Sequence, residues 1–301
     1  MLIWYVHLLV ERKKIRMNRR DALRYSLGLG VATVIGTEYS QSATVGPRFK
    51  IGACDWSIGP AGDVNCFTVA KQIGLDGVQV SLNTKSDQEH LRKPAMQQAI
   101  REAARRAGVA IGGLAIGLLN EIPYKSDPRT EQWVQDSVEV AHALGVKNVL
   151  LAFFSNNDLR NDPKGQQIVI DRLKAVAPKA EKAGVVLGIE SWLSAPEQLA
   201  ILDAVGSPAV QVYYDVCNST DGGYDIFKEI RDLGKDRICE VHLKENGYLL
   251  GHGKIDLPKV RQALDDIEYT GWLHIEGAIP KGKPMLESYI ENNRTVRSLF
   301  N

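Results

Sequence analysis

The sequence predicts a single (β/α)8 barrel, and three observations support this prediction. From Phe49 onward, eight short apolar runs alternate with eight amphipathic stretches. The runs are nearly continuous in Val, Ile and Leu, as in parallel strands covered on both faces. Glycines such as Gly108 and Gly184 follow several amphipathic stretches, where glycine favours the left-handed conformation that ends a helix. Eight strand–helix units are the number that closes the commonest barrel of this type.

The predicted strands are short apolar runs bounded by polar or glycine-containing segments. In chain order they are Phe49–Trp56, Gly77–Leu82, Val109–Ile116, Asn148–Phe154, Val185–Glu190, Val210–Asp215, Ile238–Leu243 and Trp272–Glu276. A doubly wound open sheet is the alternative architecture. It is disfavoured because the segment Gly59–Gly62 after the first run contains a proline and lacks the GxGxxG spacing of a phosphate loop.

The predicted helices have apolar residues at helical spacing, as Val134, Val138 and Ala141 illustrate. In chain order they are Cys66–Ile73, Pro94–Ala107, Thr130–Leu144, Gly165–Ala183, Pro196–Val205, Tyr224–Leu233, Leu257–Ile267 and Met285–Leu299. Pro196 and Pro258 stand near helix starts, where a missing N–H group costs little. No linker interrupts the alternation, so residues 47–301 are expected to form one domain.

Residues 1–46 precede the barrel and contain the parts of an export signal. Residues 19–24 (RRDALR) resemble a twin-arginine motif, and a weakly apolar stretch and small polar residues follow. These features predict a cleaved leader and a periplasmic protein, with Met17 as a candidate start. The apolar stretch is too short for a stable membrane span. A cytoplasmic protein with a disordered basic tail, or a short membrane-inserting segment at residues 2–10, is the alternative.

Charge and cysteine usage exclude several function classes. The chain has 37 basic and 36 acidic residues, a formal net charge of +1. Proteins that track nucleic-acid backbones usually show a basic excess or stripe, so no nucleic-acid partner is expected. The four cysteines form no CxxC pair, which excludes a zinc ribbon or a thioredoxin motif.

Four consecutive predicted strands end on side chains that can bind a metal: Glu190, Asp215, His242 and Glu276. Active sites of such barrels lie at the carboxyl ends of the strands, so these side chains are expected to converge. Burying three carboxylates together without a cation would be costly. Three oxygen ligands and one imidazole favour Mn²⁺ or Mg²⁺ and admit Co²⁺ or Zn²⁺. The alternative is that these acids are caps or ion-pair partners.

Other polar and aromatic residues near strand ends are candidates for binding a substrate. They are Trp56, Asn120, Trp192, Asn218, Lys244 and His252, with Phe154 as a further wall residue. Asn218 can hydrogen-bond a hydroxyl group, and Lys244 can bind an anionic or keto oxygen. Core packing for the aromatic residues, pairing with Glu245 for Lys244, and solvent exposure for His252 are the alternatives.

Together with the four strand ends, two segments resemble the xylose isomerase-like barrel superfamily, the sugar phosphate isomerase/epimerase group. These segments are 241–245 (VHLKE) and 251–256 (GHGKID), and the resemblance extends from Phe49 to the C-terminus. It implies one Mn²⁺-like ion on the four strand-end residues. It also implies that Glu190 and Glu276 shuttle a proton beside a substrate carbonyl through a metal-stabilised enediolate. The implied activity is isomerisation or epimerisation of a keto sugar or related polyol.

The resemblance leaves alternatives open. Sugar epimerases of the group often place a histidine three residues after the aspartate; here Asn218 stands there and cannot be a general acid. A metal-dependent lyase or dehydratase on a keto sugar or keto glycoside would use the same proton abstraction. A non-catalytic sugar-binding barrel is a further reading, disfavoured because both glutamates are present. An endonuclease IV-like enzyme would need more histidines at strand ends. Barrels of the group are often dimers or tetramers, so a homo-oligomer is expected.

Overall fold

The computed structural model describes residues 48–301, which contain a closed barrel of eight parallel strands in sequential order. The strands are β1 Phe49–Cys54, β2 Gly77–Ser81, β3 Ala110–Ile116, β4 Asn148–Phe153, β5 Val186–Ser191, β6 Val210–Asp215, β7 Ile238–Lys244 and β8 Gly271–Glu276. The predicted barrel is therefore confirmed. The predicted leader, residues 1–46 with the twin-arginine-like segment 19–24, lies outside the described residues.

Ten α-helices connect or follow the strands in residues 48–301. They are α1 Asp55–Ile58, α2 Cys66–Ile73, α3 Pro94–Ala107, α4 Arg129–Leu144, α5 Pro163–Ala183, α6 Ala195–Val205, α7 Val216–Asp221, α8 Ile226–Leu233, α9 Leu257–Asp266 and α10 Met285–Phe300. Within this part of the chain, no helix combines the length and apolar character that crossing a membrane requires.

Capping side chains explain why two helices begin at residues other than the predicted ones. The helix predicted from Tyr224 begins at Ile226, because the Asp225 side chain accepts hydrogen bonds from the first free N–H groups. The helix predicted from Gly165 begins two residues earlier, at Pro163, where Asp162 caps it and proline fits the first turn. The first strand ends at Cys54 rather than Trp56, because the chain turns directly into α1.

The barrel interior is packed around a buried histidine that requires neighbouring glycines. His274 on β8 is fully buried and stacks on Trp272, with ring centroids 5.3 Å apart. A Cβ atom added at Gly52 would stand 2.4 Å from Nδ1 of His274, and one at Gly112 would stand 2.7 Å from its Cε1. Both distances are too short for real contacts, so these glycines make room for the imidazole.

Substituting Gly52→Ala should lower the free energy of unfolding by about 1–3 kcal/mol, because the added methyl group overpacks the interior beside His274. Chemical denaturation monitored by circular dichroism measures this loss. Gly117→Ala is the matched control, since a Cβ atom there meets nothing within 4 Å. Equal stability of the two variants would contradict the packing argument.

Candidate metal centre and active site

The four strand-end residues converge at one end of the barrel. Their possible ligand atoms all lie within 4.8 Å of one another. Nδ1 of His242 lies 2.8 Å from Oε1 of Glu190, 3.7 Å from Oε2 of Glu276 and 3.9 Å from Oδ2 of Asp215. Parallel pairing produces this convergence, because β6 aligns Asp215 with His242 on β7 and each strand ends at the same edge.

The protein holds one oxygen atom of Asp215 and one of Glu276 and leaves the other oxygen of each facing the cluster. Oδ1 of Asp215 accepts hydrogen bonds from the backbone N–H groups of Cys217 and Asn218, at 2.8 and 2.9 Å, as the N-cap of α7. Its Oδ2 is buried and has no hydrogen-bond partner among the described residues. Oε1 of Glu276 accepts a 2.8 Å hydrogen bond from Nε1 of Trp56. The orientation of both carboxylates is therefore set in advance.

Burial and close charged neighbours determine the electrostatics of this cluster. Burial raises the pKa of Asp215 to about 7; Glu190 and Glu276 also raise it, while Lys244 opposes them. Burial acts in the same direction on Glu276, but His242 and Lys244 lower its pKa to about 2. The ammonium of Lys244 lies 2.9 Å from Oε2 of Glu276 and 3.8 Å from Oδ2 of Asp215. The positive charge of Lys244 thus offsets part of the repulsion between these carboxylates.

These groups fit a divalent cation. Three carboxylates and one imidazole nitrogen form a donor set that suits Mn²⁺, Mg²⁺, Co²⁺ or Zn²⁺. The unpartnered Oδ2 of Asp215 is a buried oxygen that requires a positive ligand or donor, which a cation would provide. In this donor set Glu190, Asp215, His242 and Glu276 would hold the ion.

A cavity of about 360 Å³ opens onto the cluster. Glu190 and Glu276 line it, and five of the six predicted substrate-binding residues also do so: Trp56, Asn120, Trp192, Asn218 and Lys244. One wall is aromatic, since the rings of Phe154 and Trp192 meet edge to face with centroids 5.0 Å apart. Asn120 supports this wall, because its Oδ1 accepts a 2.9 Å hydrogen bond from the N–H group of Phe154.

The structure does not bring His252 to the cavity. His252 is exposed in the loop between β7 and α9 and is absent from the residues that line the cavity. The buried Glu245 carboxylate organises this loop, because it accepts hydrogen bonds from the N–H groups of Gly251 and Ile255 at 3.2 and 3.0 Å. His252 therefore lies outside the residues that line the cavity, and its contact with a substrate stays a prediction; the 251–256 turn is a loop held by Glu245.

Several polar residues near the site were not predicted from the sequence. Gln79 is fully buried on β2 and lies within hydrogen-bond distance of His242. Asn83, Lys85 and Glu121 line the cavity, and Asn83 is only 3% exposed. A glutamine inside an otherwise apolar run was the signal for Gln79, and polar residues directly after the second run were the signal for Asn83 and Lys85.

Comparison with known proteins agrees with this geometry. A model of the xylose isomerase-like TIM barrel matches residues 67–298. The chain is 28% identical over 225 residues to a 2-epi-5-epi-valiolone 7-phosphate 2-epimerase from Actinoplanes sp., covering 71% of this chain and 82% of that protein. It is also 28% identical over 134 residues to a D-psicose 3-epimerase from Enterocloster bolteae, covering 41% and 44% of the two chains.

Solved structures share the same fold at low sequence identity. A D-psicose 3-epimerase from Clostridium cellulolyticum superposes with a TM-score of 0.71 at 18% identity, covering 84% of this chain and 99% of that one. A 3-keto-D-glucoside 4-epimerase from E. coli superposes with a TM-score of 0.70 at 17% identity, covering 83% and 99%. The relatives named here are epimerases, and because the family model spans most of the barrel, the chain belongs to the xylose isomerase-like TIM-barrel family.

Proposed function

We propose that this protein is a divalent-metal-dependent epimerase or isomerase of a keto sugar or related polyol. The observation that supports this proposal is that Glu190 and Glu276 both belong to the candidate metal cluster and both line one cavity of about 360 Å³. Two carboxylates around one substrate position can remove a proton and return it on another face or at the neighbouring carbon. The relatives' names describe the same class of reaction.

The chain's own residues have separate tasks in this reaction. Glu190 and Glu276 exchange the proton on the carbon beside the substrate carbonyl. Nε1 of Trp56 donates to Oε1 of Glu276 and holds it in place, and the ammonium of Lys244 lies 2.9 Å from Oε2 of the same residue. A bound divalent cation, with Mn²⁺ favoured by the oxygen-rich donor set, would polarise the substrate's carbonyl oxygen and stabilise the negative charge that proton removal creates.

The charges of the cavity favour a neutral sugar over a sugar phosphate. Among the described residues that line it, the cationic side chains are Lys85 and Lys244. Lys85 is paired with Glu121, and Lys244 with Glu276. A phosphate group would need a free cation or several aligned donors. We therefore propose a substrate without phosphate, which differs from the phosphorylated substrate named for the Actinoplanes relative.

Two further expectations accompany this proposal. We propose that residues 1–46 direct export to the periplasm, which suits a neutral extracellular sugar, whereas a cytoplasmic location is the alternative. Self-association into a homo-oligomer stays a prediction of the family resemblance. A lyase or dehydratase that begins with the same proton removal is the second candidate activity.

Deuterium exchange tests the proposed reaction directly. Purified protein loaded with Mn²⁺ is incubated in D₂O with a panel of ketohexoses, their phosphate esters and a 3-keto-glucoside. Mass spectrometry and NMR should show deuterium entering the carbon beside the carbonyl of a neutral substrate, with a new epimer or isomer as product. Exchange followed by loss of water or of a glycosyl group would assign the lyase activity instead. Tight sugar binding without exchange would indicate a binding protein.

A further inference from the structure

The imidazole of His242 offers two nitrogen atoms to two different environments. Nδ1 faces the three carboxylates of the candidate metal centre. Nε2 faces away from them and lies 3.1 Å from Oε1 of Gln79. A neutral imidazole carries its single proton on one nitrogen and a lone pair on the other. Nδ1 can therefore bind a cation only when the proton stays on Nε2, where an acceptor must hold it.

Gln79 provides that acceptor in a fixed orientation. The side chain is fully buried on β2, and its Nε2 donates a 3.0 Å hydrogen bond to the hydroxyl oxygen of Tyr213 on β6. This bond anchors the outer end of the amide, while its Oε1 accepts from Sγ of Cys54 at 3.4 Å and faces Nε2 of His242. Tyr213 also packs its ring against the imidazole, with centroids 4.5 Å apart. Strands β2, β6 and β7 thus meet at one hydrogen-bonded chain.

We infer that Gln79 is a positioning residue for His242, and that Tyr213 fixes the amide that does so. The inference rests on the metal centre of the proposed function and extends it to residues that touch neither substrate nor cation. Gln79 keeps the proton on Nε2 of His242 and the ring plane directed at the carboxylates. Outer partners of this kind commonly change metal affinity by about 10- to 100-fold.

Cys54 is the competing partner for the same nitrogen. Its Sγ lies 3.3 Å from Nε2 of His242 and 3.4 Å from Oε1 of Gln79. The thiol donates its hydrogen to Oε1 of Gln79. A neutral thiol is a weak acceptor compared with an amide oxygen. The amide of Gln79 is therefore the group that retains the imidazole proton, and Cys54 provides the matched control.

The first measurement is Mn²⁺ affinity, from electron paramagnetic resonance of the free ion during titration of the full chain. Gln79→Leu should weaken binding by about 10- to 100-fold, because only the weakly accepting sulfur of Cys54 remains at Nε2. Gln79→Glu retains an acceptor oxygen there and should stay within about threefold of wild type. Tyr213→Phe keeps Gln79 but frees its amide, so a loss of about threefold to tenfold is expected. Cys54→Ala should leave the affinity unchanged.

The second measurement is the hydrogen bond of the Nε2 proton of His242 in Zn²⁺-saturated protein labelled with ¹⁵N-histidine. Nitrogen–proton couplings identify the protonated nitrogen, and His242→Gln assigns the signal among the six histidines. Wild type and Gln79→Glu should show an Nε2 proton that is shifted downfield and exchanges slowly with water, whereas Gln79→Leu, or Tyr213→Phe if the leucine variant does not fold, should show a smaller shift and faster exchange. A purely structural role for Gln79 would change stability without moving this signal.

The possible outcomes distinguish the proposed metal centre from the proposed positioning role of Gln79. Wild-type protein that binds neither Mn²⁺ nor Zn²⁺ would overturn the proposed metal centre and this role with it. Wild-type protein that binds both ions, with Gln79→Leu and Tyr213→Phe unchanged in affinity and in the Nε2 proton signal, would overturn the positioning role alone. A loss of affinity in Cys54→Ala but not in Gln79→Leu would assign the role to the thiol instead.

Discussion

Replacing Glu190 or Glu276 by glutamine is expected to lower the rate of α-proton exchange and product formation by about 10²- to 10⁴-fold, which is the range for loss of a positioned general base. Glutamine keeps the size of the side chain but cannot accept the proton. Each single variant should block removal from one face of the substrate. Exchange in D₂O, measured separately from each of two epimers, would show which glutamate serves which face.

The exchange experiment needs two controls. Metal content is measured in every variant, and assays are run at saturating Mn²⁺, so that a weakened centre is distinguished from a missing base. Glu121→Gln is the matched control, because Glu121 lines the same cavity but pairs with Lys85 instead of joining the metal cluster. If Glu190→Gln and Glu276→Gln exchange protons as fast as Glu121→Gln, the two-base mechanism is wrong.

Substituting Asp215→Asn is expected to weaken Mn²⁺ binding by at least about 100-fold. The asparagine oxygen can still accept from the N–H groups of Cys217 and Asn218, so the start of α7 is retained. The atom that replaces the unpartnered Oδ2 becomes an NH₂ group, which cannot bind a cation. Calorimetric titration with Mn²⁺ measures the loss directly.

The same substitution should have the opposite effect on the metal-free protein. Burial and two nearby carboxylates raise the pKa of Asp215 to about 7, so its charged form is unfavourable there at neutral pH. Removing that charge should raise the unfolding temperature without metal and abolish the further rise on adding Mn²⁺. Asp221→Asn, at the end of α7, is the matched control and should keep the metal-dependent rise. An unaltered metal response in Asp215→Asn would refute its role as a ligand.

The positions of the candidate ligands could be predicted because they follow from topology. Glu190, Asp215, His242 and Glu276 each stand at the end of a continuous apolar run, and parallel strands bring such ends together whatever the loops do. The strands could also be predicted, because a strand that is buried on both faces requires a nearly continuous apolar sequence. For the strands and the candidate ligands, the local sequence pattern and the overall fold predict the same positions.

Other parts of the site depend on contacts that sequence spacing does not reveal. Gln79 forms hydrogen bonds with Tyr213 and His242, which lie 134 and 163 positions away along the chain. The residues next to Gln79 therefore predict that it is buried but do not reveal its contact with His242. The motif around His252 likewise does not reveal that the carboxylate of Glu245 holds its loop through the N–H groups of Gly251 and Ile255. The starts of α5 and α8 shifted for a similar reason, because capping by Asp162 and Asp225 outweighs the apolar period.

The ammonium of Lys244, which lies beside Glu276 and Asp215, has a consequence for how substrates arrive. Three ionised carboxylates are balanced in formal charge by one dication together with this lysine. The loaded centre would then carry no net charge and would exert little long-range attraction on anions. A neutral sugar would find it by unassisted diffusion, at a rate that dissolved salt barely alters. Selection among substrates would then depend on fit within the cavity.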